Sequence, residues 1–137
     1  MLYKRLFLGC VAICTVVVCV IVRSLAPGWL LVLFGIVYLP LLGLHIFIHA
    51  RFAPIVTLRI STIAAITASH FALVLAFLFQ RDVTDTRYTV TPFTELLQLT
   101  PPLSQDGGPE MVFDAMLFLP ACILWFSIWQ MARKVSQ

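Results

Sequence analysis

The sequence predicts an all-α integral membrane protein: a bundle of four transmembrane helices with one outer loop of about 30 residues. Three observations lead there. The chain is 61% hydrophobic and only 11% charged, where a soluble domain is about a quarter charged. A chain of 137 residues has too much surface for its volume to bury that much apolar material in its own core, so lipid is the solvent for much of it. Finally, the apolar residues fall into four runs bounded by basic residues and turn residues, and all six acidic residues follow position 80.

The four runs are 6–22, 29–50, 60–80 and 111–131. A spanning helix needs about 20 apolar residues, because each residue rises 1.5 Å through roughly 30 Å of hydrocarbon. The last three runs meet that length. The first is shorter, but Lys4, Arg5 and Arg23 can reach outward to the headgroups. Each run is expected to be helical, since an open strand would leave backbone groups unpaired in hydrocarbon. Ser24-Leu25-Ala26 resembles a signal-peptide cleavage site, but the apolar run is long for one and Pro27 would follow the cut. All of 1–137 is therefore read as a single membrane domain.

Basic residues orient the bundle. With the N-terminus inside, the inner segments carry Lys4, Arg5, Arg51, Arg59, Arg133 and Lys134, and the outer ones Arg23, Arg81 and Arg87. Both termini are thus expected in the cytoplasm, in a cell (inner or plasma) membrane. The acidic loop 81–110 lies outside. In it, Thr86 to Thr91 alternates like a short extended segment, and Thr91-Pro92 reads as a cap and first helical position. Phe93, Leu96, Leu97 and Leu99 would give that short helix an apolar face, lying on the outer membrane surface or on the bundle. Asp106-Gly107-Gly108-Pro109-Glu110 reads as the turn into the fourth helix.

Inside the membrane, Ala64, Ala68, Ala72 and Ala76 recur every four residues on the third helix, and are expected to form a helix-packing seam. Pro40 and Pro120 each remove a backbone hydrogen bond and are expected to kink the second and fourth helices. His70 is a possible intramembrane polar site, facing away from the alanine seam and hydrogen-bonded to a threonine, a carbonyl or another helix. The four cysteines sit in apolar runs and are expected to pack as small hydrophobes.

His45 and His49 are four apart, beside Arg51, and share a helical face with Tyr38. Cys10 and Cys14 are also four apart, at similar depth on the first helix. The four are weak candidates for a zinc or copper site, because the spacing permits it without specifying it. The expectation is that His45 and His49 are not ligands, with His49 at the headgroups, and that replacing either by alanine costs less than about 1 kcal/mol. A haem held by His45 and His70 is disfavoured by depth, about 9 Å against about 16 Å from the inner edge at 1.5 Å per residue.

No catalytic residue, cofactor or nucleic-acid-binding cluster is indicated. The sequence therefore points first to a non-enzymatic subunit or interaction protein, such as an accessory or immunity-type protein. Its partners would be the lipid bilayer and another membrane protein or further copies of itself, met through helix faces and the outer loop. The alternatives are a small transporter or channel component using His70 and the two prolines, and a metal- or haem-binding redox protein.

Overall fold

The computed structural model describes residues 2–25, 29–56, 59–83, 89–99 and 116–135; for 29–37, 82–83 and 89–90 it describes the backbone. Among the described residues the fold is helical apart from one two-residue strand pairing. The helices described are α1 (Leu2–Ser24), α2 (Trp29–Arg51), α3 (Ile60–Phe79), the short α4 (Pro92–Leu96) and α5 (Leu119–Val135). Among the described residues, α1 and α3 are long and apolar enough to cross a membrane.

Each long helix buries one stripe whose positions mostly fall three, four or seven residues apart. On α3 it runs Thr62, Ile66, Ser69, Leu73, Ala76 and Phe77. On α5 it is Ala121, Trp125, Ile128 and Ala132. On α1 it is Leu8, Ala12, Cys19 and Arg23, and on α2 it includes Tyr38, Leu42, His45 and His49. Steps of three and four keep a stripe on one side of a helix with 3.6 residues per turn, which lets long helices interdigitate along their length. Accordingly α1 packs on α2 and α3, and α5 packs on α3 and α2.

Consecutive long helices run antiparallel, so α1 and α3, which also pack together, run parallel. Lys4 Nζ donates to Val56 O at 2.8 Å, joining the start of α1 to the turn after α2. The Thr62 hydroxyl lies 3.9 Å from Met131 Sδ, so the start of α3 meets the end of α5. At the opposite end, Tyr38, Phe77 and Phe118 from α2, α3 and the approach to α5 form an aromatic cluster, with centroids 5.2 to 6.2 Å apart.

The loop segment follows the sequence reading where it is described. Thr91 caps α4, its hydroxyl accepting from Thr94 N at 3.1 Å, and Pro92 takes the first turn. Phe93 packs on Phe79 of α3 at 4.9 Å, so α4 rests on the helices. Asp82–Val83 pairs antiparallel with Thr89–Val90, which agrees with an extended segment ending near Thr91. The turn at 106–110 and the start of the fourth apolar run lie outside the described residues.

Two expectations change. Pro120 does not sit in mid-helix: the helical run is interrupted by a turn at 117–118, after helical Met116, and α5 begins at Leu119. Pro120 therefore occupies the first turn, where a missing N–H costs nothing. Pro40 does lie inside α2, on its exposed side. The alanines also do not make one seam. Ala76 is buried and Ala72 half-buried, but Ala64 and Ala68 are exposed. At about 100° per residue a step of four drifts some 40°, so four alanines wrap about a third of the way around the helix.

Candidate functional site

Three imidazoles meet in the core. His45 and His49 sit one turn apart on the packing stripe of α2, and both are fully buried. His70 lies on α3 beside the stripe residue Ser69 and is half-buried. Ring centroids are 4.3 Å apart for His45–His49 and His49–His70, and 4.8 Å for His45–His70. One ligand nitrogen from each comes within 4.8 Å of the others.

The polar atoms around the rings decide where protons sit. Trp125 Nε1, on α5, lies 3.0 Å from His45 Nδ1. An indole N–H only donates, so His45 Nδ1 holds a lone pair and neutral His45 carries its proton on Nε2. That Nε2 is 3.0 Å from His70 Nδ1, which therefore accepts. The His70 proton then lies on Nε2, a buried atom with no hydrogen-bond partner among the described residues. Thr15 of α1 touches the same His70 Nδ1 at 2.9 Å and its own Val11 O at 3.0 Å.

His49 is fixed differently. Its Nδ1 is 2.8 Å from His45 O, which can only accept, so Nδ1 carries the proton. Its Nε2 lone pair faces Ser69 Oγ at 2.9 Å. Ser69 Oγ is also 2.7 Å from Ile66 O. One hydroxyl hydrogen serves two acceptors there, so a cation on His49 Nε2 would meet an incompletely satisfied lone pair.

These placements differ from the sequence reading in three ways. His45 and His49 are not the wet end of a helix. After α2 the chain makes a turn in which Ala53, Pro54 and Val56 are buried, so the exposed Arg51 does not mark the level of Arg59. The depth comparison between His45 and His70 started from those two arginines and fails for that reason. In this structure His45 Nε2 and His70 Nδ1 are in direct contact, 3.0 Å apart. Thirdly, Cys19 is buried but Cys10, Cys14 and Cys122 are exposed. Cys10 and Cys14 do not join the imidazoles; with Phe7, Thr15, His70 and Phe71 they line an apolar groove of about 510 Å³ between α1 and α3.

His70 does bond a threonine, but Thr15 of α1. Trp125, Thr15 and the hydrogen-bonding role of Ser69 escaped the sequence reading. The available signal was the stripe itself: Tyr38, Leu42, His45 and His49 step by four, three and four. No family model, curated protein or solved structure matches the chain.

Proposed function

We propose that the chain is a multi-pass membrane protein, four spanning helices with both termini in the cytoplasm, acting as a non-enzymatic subunit that holds a partner helix against α3. The observation that carries this reading is the exposed small-residue row Ser61, Ala64 and Ala68. In lipid, helices associate by close backbone approach, and small residues permit it. Among the described residues the row is exposed, and the stripe from Thr62 to Phe77 makes the internal contacts. Orientation draws on the shared end of the helices, where Lys4, Arg5, Arg51, Arg59, Arg133 and Lys134 gather.

Site-specific photo-crosslinking in native membranes tests the reading. A crosslinker at 64 or 68 should give a discrete protein adduct of fixed mass, and one at Ile123, on the exposed side of α5, should not. Only lipid adducts at 64 and 68 would remove the basis for the proposed partner.

A further inference from the structure

We propose that His45, His49 and His70 form a transition-metal site for a cuprous ion, buried where α2, α3 and α5 meet. The proposal does not depend on the partner reading above. Ionisable side chains this deep in a spanning bundle are costly and generally tied to function. Here three gather, from two helices, with one ligand nitrogen of each within 4.8 Å of the others.

Two of the three need little change to bind. A ligating histidine offers one lone pair and fixes its other ring N–H on a fixed acceptor. His49 already does so, with Nδ1–H on the His45 carbonyl and Nε2 free of a proton. His70 would bind through Nδ1, the proton-free atom that already faces His45 Nε2 at 3.0 Å. Its proton stays on Nε2, and Thr15 Oγ1, 2.9 Å from Nδ1, keeps its own hydrogen on Val11 O.

His45 is the restrained member. Binding through Nε2 requires its proton on Nδ1, where the Trp125 N–H points. Trp125 therefore opposes ligation, and must give up its hydrogen bond when His45 joins. The cluster also has to tighten, since nitrogens sharing one ion at 2.0–2.1 Å lie roughly 3.3 Å apart.

Charge selects the ion. Three neutral imidazoles supply no negative charge, and the first 80 residues, which hold all three histidines, contain no acidic residue. An uncompensated buried charge is penalised steeply, so a monovalent ion is favoured over a divalent one. Imidazole suits copper, and thiols suit cuprous copper especially. Cys10 and Cys14 line the groove that His70 also borders, where they can pass the ion inward.

The test is metal retention by the full chain in detergent, loaded anaerobically with cuprous copper alone or with zinc alone and then desalted. The expected result is one copper per chain with nitrogen-only coordination by X-ray absorption. His49→Gln and His70→Gln should each abolish it. Cys10→Ser with Cys14→Ser should slow loading and leave the final stoichiometry unchanged. Trp125→Phe removes the opposing donor, so it should tighten binding about three- to tenfold by competition with a chelator. That gain needs no histidine variant to fold and is not expected of a structural tryptophan. Failure of the wild type to retain copper, sulfur coordination lost with the cysteines, or weaker binding in Trp125→Phe would each overturn the site. One zinc per chain in place of copper would overturn the choice of ion.

Discussion

At the residue scale, a single indole sets the protonation of its neighbours. Trp125 donates to His45, His45 donates to His70, and the direction of each bond follows from the one before it. Removing the middle of such a chain leaves a buried donor without an acceptor as well as a cavity. His45→Ala is therefore expected to cost about 2–4 kcal/mol, well above the 1 kcal/mol that an interfacial histidine would allow. Equilibrium unfolding in mixed micelles measures it, and a cost within the scatter of surface variants would show that the Trp125 bond contributes nothing. Thr15→Val should cost less, about 0.5–1.5 kcal/mol, because His70 Nδ1 keeps the His45 proton.

At the element scale, α3 presents two faces of different use. Its packed stripe meets α1 and α5, while its outer side carries Ala64 and Ala68 beside large apolar residues such as Ile63 and Phe71. Ala76→Leu forces extra methylenes into a filled contact and should destabilise the isolated protein by about 1–3 kcal/mol. Ala68→Leu should leave isolated-chain stability unchanged, yet weaken any complex formed in the membrane. Melting in detergent and co-purification separate the two effects. Equal destabilisation by both variants would mean that the alanines share one internal seam after all.

At the scale of the whole molecule, Lys4, Arg5, Arg51, Arg59, Arg133 and Lys134 lie in or beside the four long helices and collect at one end because consecutive helices run antiparallel. Reporter fusions at the C-terminus should read cytoplasmic, and a fusion at Gly107 should read external. A cytoplasmic signal at Gly107 would invert the orientation and move the acidic segment to the inner side.

The sequence by itself determined the helical class, the bounds of α2 and α3 to within a residue, and the Thr91–Pro92 start of α4. These follow from local causes: the length of uncharged runs, and the side-chain capping of free backbone N–H groups. Only the tertiary structure decided which side of each helix is inside. In a helix apolar all round, hydropathy does not mark the packed face, since lipid and core are equally apolar, and what marks it is shape and the placement of the few polar groups. His45 and His49 stood on the stripe with Tyr38, but proximity to Arg51 argued for the headgroups. The partners that overturn that placement, Ser69, His70 and Trp125, lie 20, 25 and 80 residues away along the chain. Hydrogen bonds across such separations depend on how helices pack, and single-helix periodicity carries no record of them.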